Sequence, residues 1–393
     1  MKTRRQHVSE DDVTVCRRNT RPKTTSINAI CRCVSKLWAN TLGCPDFKEL
    51  FLKRSSACPQ LLFVRENFDV FFSSPQLQNP DANSSHAVAT RLMHFPFDGF
   101  YEMSGGSVHG LVCLIYYKQI PKGRKETVPV ICNPSTGQSL TLPKVRTNRV
   151  NVISYLGYDP VGKQFKVLSM SLPIFGNQKG MCGEHQVLTL GPGKLSWRMI
   201  NCSAVPHGIL YNENRICING VLYYQAWVLG FSKVIICFDV SSEKFTLINL
   251  DKDMVPWHEP TLVNYKGKLG ALTASDFGSF GTVSGDTECL QLWVLVDAEK
   301  HEWLKYTYVL PPLWKNVVGN ASLDFVILTG TNEIVLSSDD PSGPFCVFYY
   351  NFERQTVRKV VMQGMDTCVT NVHTFVDHVE DVKLMKMFLP RVS

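Results

Sequence analysis

The sequence predicts a mainly β fold: a short helical segment near the N-terminus, followed by a β-propeller-like domain of about six blades. Three observations carry this. From residue 91 onward, short apolar runs alternate with clusters of Gly, Pro, Asn, Asp and Ser, the punctuation of strands and tight turns. Turn-like triplets recur roughly every 50–56 residues, close to the period of about 50 seen in kelch-like propellers. Ahead of them, residues 26–42 carry an apolar stripe in steps of three and four, the period of a helix. A β-sandwich or an open β-array is the competing architecture.

Composition bounds the rest. At 393 residues the chain exceeds the usual single core, so it needs two domains or one repeat-built domain. Hydrophobic residues make up 44% and charged residues 19%, the balance of a folded globular protein. No apolar run approaches the roughly 18 residues of a membrane span. The opening MKTRRQHVSEDDV has no apolar stretch behind its charges, which points to an intracellular protein, cytoplasmic or nuclear. With no secretory signal, the 14 cysteines are expected as thiols; Cys113, Cys132, Cys217, Cys237 and Cys346 lie in strand-like runs as small hydrophobes. The net charge of +7 resides in residues 1–54, and the remainder is neutral. A large nucleic-acid-binding face is therefore not called for.

Residues 1–23 form a basic leader with clusters at Arg4-Arg5 and Arg17-Arg18. It reads as a solvated terminus, with a nuclear-import or phosphate-binding signal as the alternative. Ser26 is a candidate N-cap for a helix carrying Ile27, Ile30, Val34, Leu37, Trp38 and Leu42, and Gly43 its stop. Pro45-Asp46 then opens a second short helix, with Phe47, Leu50 and Phe51 on one side. Cys31 and Cys33, two apart on a helix, do not share a face and make a poor zinc pair.

In the body, Gly110–Tyr117 reads as a buried strand from its continuous apolar character. The repeating turns are Ser135-Thr136-Gly137, Gly191-Pro192-Gly193, Ser242-Glu243-Lys244, Glu299-Lys300-His301 and Glu353-Arg354-Gln355, each joining two strands. Between them lie shorter strands, Ile218–Leu222, Tyr265–Leu269 and Thr331–Leu336. Residues 76–90 read as a polar loop. The run from residue 91 to 382 holds five or six units, with the Leu61–Ser74 hairpin helping to close the ring. A final strand begins near Thr374.

The words within these elements resemble a known family. CRCVSKLWANTL followed by PDFKELFLKRSS resembles the C-terminal half of the F-box of plant F-box proteins. LLFV, FFSSP, ICNPSTGQSLTLP, YLGYDPVGKQFKVL and NGVLYYQAW resemble that family's F-box-associated region. The resemblance covers nearly everything from residue 24 onward. After the basic leader over 1–23, it implies a partial F-box over 24–54 and an F-box-associated, propeller-like domain over 55–393. In one place the chain departs from the pattern. Where the family opens with a Leu-Pro-x-Asp-Leu helix, this chain has VTVCRRNTRPKTTSI.

The implied function is substrate recognition in a Skp-cullin-F-box ubiquitin ligase. On this resemblance, Ile30, Val34, Leu37 and Trp38 would contact a Skp-type adaptor, linking to the cullin complex, and the β domain would hold an unknown protein substrate. The runner-up is a degenerate F-box protein acting as a stand-alone interaction module. A propeller enzyme is the third reading, but catalytic motifs are lacking: Glu184-His185 has no second metal-binding His, and there is neither a G-x-S-x-G elbow nor a phosphate loop. No enzyme activity, cofactor, metal, nucleic acid or membrane is expected. Trp257 and Trp314, in Pro-flanked loops, are candidate substrate anchors; capping the core at a blade edge is the alternative for each.

Overall fold

A computed structural model describes residue 40 and residues 44–388, with breaks at 66–69, 77–84, 95–99, 121–123, 148–150, 173–183, 203–206, 210–214, 229–231, 255–259, 276–281, 330–332, 339–342, 366–371 and 383–384. The described chain opens with α1 (Pro45–Ala57). Proline at the first helical position, Asp46 in the first turn and Arg54 in the last all suit the helix backbone and its dipole. The Phe47 and Phe51 rings, one turn apart, lie 6.1 Å from each other. Helix α1 runs past Arg54, where the sequence reading divided the domains, to Ala57.

Six separate sheets follow, the arrangement of a six-bladed propeller. The first blade combines β1 (Gln60–Arg65), β2 (Val70–Pro75) and β4 (Thr90–His94) with a strand from the far end of the chain. Strand β3 (His86–Val88), between β2 and β4, goes to the last blade. The second blade is β5 (Phe100–Met103), β6 (Val112–Ile120), β7 (Arg124–Asn133) and β8 (Gln138–Thr141). The third is β9 (Asn151–Asp159), β10 (Gln164–Leu172), β11 (Glu184–Leu190) and β12 (Arg198–Ile200).

In the fourth blade, β13 (His207–Ile209) and β14 (Arg215–Ile218) share one edge of β15 (Val221–Val228), which continues to β16 (Ser232–Asp239) and β17 (Phe245–Asn249). The fifth is β18 (Thr261–Tyr265), β19 (Lys268–Ala274), β20 (Cys289–Asp297) and β21 (Glu302–Val309). Helix α2 (Leu313–Val318) leads to the sixth: β22 (Leu323–Leu328), β23 (Glu333–Ser338), β24 (Cys346–Asn351) and β25 (Thr356–Gln363). Finally β26 (Val372–His378) returns to pair with β1 and completes the first blade. First strands of neighbouring blades touch, β9 with β14, β14 with β18, β18 with β22 and β22 with β26, so these line the middle of the ring.

The ring is latched twice. Strand β26 is antiparallel to β1, with Leu62 opposite Phe375 and Val64 opposite His373. On the other side of the same junction, β3 adds to the outer edge of β25 in parallel, with Ala87 opposite Met362. Gly364 makes room for this second latch. Its φ is +87°, and a Cβ there would stand 2.7 Å from the Ala89 carbonyl oxygen.

Side-chain alternation explains why the strands read as continuous apolar runs. Successive residues point to opposite faces, and each sheet has a neighbour on both. Leu61 and Phe63 pack toward the sixth blade with Val335 and Val347; Leu62 and Val64 pack toward the second with Val112 and Leu114. Likewise Val234, Ile236 and Phe238 meet the third blade, while Ile235 and Cys237 meet the fifth. Six apolar clusters result, one in each seam between blades. A fully buried Leu or Phe contributes roughly 1.5–3 kcal/mol, so the seams supply the main cohesion.

Four of the five repeating turns share one device; the turn at Gly191-Pro192-Gly193 has no Asn or Asp before it. An Asn or Asp closes the preceding strand, and its Oδ1 accepts backbone N–H groups two or three residues on: Thr136 to Asn133, Ser242 to Asp239, Glu299 and Lys300 to Asp297, Glu353 and Arg354 to Asn351. The residue four places after that Asn or Asp is left-handed in each: Gly137, Glu243, His301 and Gln355. Two expected strands are corrected. Asn219-Gly220 and Lys266-Gly267 have positive φ at both residues, so they are two-residue hairpin turns, joining β14 to β15 and β18 to β19.

Candidate functional site

The junction between α1 and the ring comes first, because it precedes the propeller in the chain. The backbone N–H of Glu380, just past β26, donates to the Ser55 hydroxyl of α1 at 2.7 Å. Gln76, after β2, grips the same region twice: its Nε2 donates to Asp377 Oδ1 at 3.0 Å, and its Oε1 accepts the Asp377 N–H at 2.9 Å. The His378 ring is fully buried, with Nδ1 2.8 Å from the Ser107 hydroxyl. Burial pushes its pKa down to about 4. Asn133 Nδ2 donates to the Asp381 carbonyl at 3.0 Å, fastening the segment to the second blade. The other face of α1 is open, with Leu50 61% exposed.

A buried polar cluster joins the third and fourth blades. The Lys166 ammonium lies 2.9 Å from Glu243 and 3.5 Å from Asp159, and donates to the carbonyls of Val240 at 2.7 Å and Ser241 at 3.3 Å. The Ser241 hydroxyl donates to Asp159 at 2.5 Å. That bond, backbone N–H groups of Gly162 and Val161, and Lys166 together outweigh burial and bring the Asp159 pKa down to about 2. Burial alone would raise Glu243, but hydrogen bonds from Arg198 and Lys166 hold it below the usual carboxylate range. Every charge in this cluster has a partner, as a buried group requires, and its work is to fix two blades together.

Three buried thiols are held in the neutral form. Burial pushes Cys113 and Cys237 up to about 12, and Cys132 up as well, so these remain neutral hydrophobes. The nine described cysteines are free thiols. His185 is buried on β11, 5.2 Å from the Phe245 ring. Among the described residues, no three His, Cys, Asp or Glu side chains are grouped to hold a metal ion. No described helix is long and apolar enough to cross a membrane.

Of the residues singled out from sequence, Ile30, Val34, Leu37, Trp38 and Trp257 lie outside the described residues. Trp314 is placed, and it does not present a surface: it is 1% exposed at the seam of the fifth and sixth blades. Its indole N–H donates to the Ser284 carbonyl at 2.8 Å and its ring meets Tyr350 edge-on. Of the two readings open for Trp314, capping the core is the one observed, because α2 turns the ring inward beneath Pro311-Pro312. Trp227 on β15 is half-buried, with Lys233 5.2 Å from the ring centre.

Sequence reasoning passed over the outer rim of the fifth blade. Strand β21 exposes Leu304 (46%), Tyr306 (37%) and Val309 (70%), and Leu313 is exposed beyond it. Next to these, Tyr308 stacks on Phe352 of the sixth blade at 4.4 Å, and Tyr265 lies 6.4 Å from Tyr306. Burial, with neighbouring Tyr265 and Tyr306, pushes the Tyr308 pKa up to about 12. The alternation Trp-Leu-Lys-Tyr-Thr-Tyr-Val was a legible sign of a strand with two used faces. That one face stays open was not.

The architecture so defined is a six-bladed β-propeller preceded by a helical segment. The F-box-associated β-propeller domain model matches residues 60–379. F-box protein DOR of Arabidopsis thaliana is 47% identical over 409 residues, covering 98% of this chain and 100% of that protein. F-box protein At5g65850 of the same plant is 44% identical over 414 residues, covering 98% and 99%. The chain belongs to the plant F-box proteins with an F-box-associated β-propeller domain.

Proposed function

We propose that this chain is the substrate-recognition subunit of a Skp-cullin-F-box ubiquitin ligase: the N-terminal helices dock a Skp-type adaptor and the propeller holds a protein substrate. The observation that carries the reading is the junction. Helix α1 leads straight into the first blade and is pinned by Ser55 to Glu380 at the ring closure, so a partner on the helices would have a fixed bearing on a substrate at the ring. The F-box proteins that match over nearly full length support it. The subunit itself makes no covalent bond in this scheme. It acts by raising the effective concentration of a substrate lysine near the ubiquitin-loaded enzyme. It needs no cofactor and works inside the cell, in the cytoplasm or nucleus.

Adaptor contacts fall on Ile30, Val34, Leu37 and Trp38. The test is capture of a plant Skp-type adaptor by the full chain, with Trp38→Ala expected to weaken capture about tenfold or more while the melting temperature is unchanged. Failure of the wild-type chain to capture the adaptor overturns the reading. A second reading rests on VTVCRRNTRPKTTSI, which stands where the family's first F-box helix is expected: a stand-alone interaction protein without ligase recruitment. Capture gained only after grafting that helix would favour it.

A further inference from the structure

Four of the outermost blade strands are short: β4 and β17 have five residues each, β8 has four and β12 three. Two are long, β21 and β25, with eight each. A strand edge offers a row of unpaired backbone donors and acceptors, which proteins ordinarily shorten or cover. Strand β25 is covered by β3. Among the described residues, β21 has a partner only on its inner side, β20.

The direction of its backbone groups follows from one hydrogen bond. The Leu310 N–H donates to the Glu288 carbonyl at 2.9 Å. Rungs of an antiparallel pair alternate, so Tyr308, Tyr306 and Leu304 bond to β20, and the backbone groups of Trp303, Lys305, Thr307 and Val309 point outward. The Val309 carbonyl agrees, since the Tyr350 hydroxyl of the sixth blade donates to it at 3.4 Å. Side chains alternate in step. Leu304, Tyr306 and Tyr308 make an apolar strip toward the sixth blade, while Lys305 lies on the opposite face, its ammonium 4.7 Å from the Trp293 ring centre.

We propose that the outer edge of β21 binds an extended segment of a partner protein as an added strand, apolar at alternate positions over Leu304, Tyr306 and Tyr308 and acidic beside Lys305. This deepens the reading of the propeller as the substrate-holding half and rests on it. The chain already displays the mode next door. The Val361 N–H donates to the Ser85 carbonyl at 2.9 Å and the Ala89 N–H to Gln363 at 2.8 Å, so an outer blade edge of this ring accepts one more strand. A second copy is the weaker occupant. Two β21 edges paired about a two-fold axis would place both Lys305 ammonium groups on one face of a shared sheet, a like-charge cost that an acidic segment avoids.

The test uses the full chain and two synthetic decapeptides, one alternating valine and glutamate, the other valine and lysine. The glutamate peptide is expected to slow amide exchange at Trp303, Lys305 and Thr307 at least fivefold, leaving Leu304 and Tyr306 as they were, and to bind at least tenfold tighter than the lysine peptide. Thr307→Pro deletes one outward N–H while sparing the ladder to β20; it is expected to cut binding at least tenfold at an unchanged melting temperature. Should that variant unfold, Lys305→Glu decides instead, by reversing the peptide preference. Equal binding of both peptides, protection elsewhere, or indifference to these substitutions overturns the proposal. So does self-association of the free chain that Thr307→Pro abolishes, which would put a second copy on the edge. Adaptor capture is read on the same samples: capture without peptide binding sinks this proposal alone, and peptide binding without capture sinks only the ligase reading.

Discussion

The backbone N–H of Glu380 donates to the hydroxyl of Ser55 at 2.7 Å, across 325 positions of sequence. The helix that precedes the ring is thereby held by the segment that closes it. The orientation of α1 is thus tied to the segment that follows the closing strand.

Ser55→Ala leaves that N–H without its acceptor. The expected cost is about 1 kcal/mol in global stability. The sharper signature is local: amide exchange across Pro45–Ala57 should rise severalfold while the blades keep their protection. Unchanged exchange in α1 would mean that the bond does not hold the helix.

The second latch is open to a similar trial. Gly364→Ala puts a methyl group 2.7 Å from the Ala89 carbonyl at a left-handed backbone position, so β3 is expected to leave β25. Exchange at Ala89 and Val361, whose N–H groups bridge the two segments, should accelerate, with roughly 1–3 kcal/mol lost.

Trp314 is predicted to matter for folding and not for binding. Trp314→Ala opens a cavity between the fifth and sixth blades and should cost about 3–5 kcal/mol. Trp314→Phe keeps most of the packing and loses the bond to Ser284, at about 1 kcal/mol. Denaturant melts of the two variants separate these contributions; equal losses would assign the effect to the hydrogen bond.

Acid should loosen the closure. His378 has its pKa lowered by burial to about 4, against an unfolded value near 6.5. Above pH 6.5 both states are neutral and the full stability is present. As pH falls from 6.5 toward 4, the unfolded state binds a proton that the folded state does not, and stability is lost, on the order of 3 kcal/mol in all. Asp377 and Glu380, both raised by burial, pull the other way in the lower part of that window. The measurement is therefore a difference: melts of wild type and His378→Gln at pH 7 and pH 4.5, where the variant should show the smaller acid loss.

The body was far more legible than the site. Val234 to Phe238 had to be a strand buried on both faces, because five successive apolar residues leave no polar side to turn outward. The turns announce themselves through Ser, Gly and charged residues, and in four of them through the Asn or Asp four places before the left-handed residue. Asn219-Gly220 was misplaced within a strand although that pair is the strongest short hairpin signal. Strand β3 was hidden because His86-Ala87-Val88 has no periodicity of its own. Its place is decided by β25, 275 positions on, where Val361 stands opposite His86. Trp314 looked like a surface anchor because proline-flanked loops are surface features, yet only the packing of α2 settles where the indole turns.

Since β26 comes from the far end of the chain, every other strand of the ring emerges during synthesis before the one that seals it. Until then β1 keeps a bare inner edge, and the apolar residues Phe375 and Val376 that cover its flanks are missing. A product cut short before Val372 would hold five complete blades and one that exposes its core, an attractive target for the cell's quality control. The manner of closure thus leaves the ring unsealed until translation reaches β26.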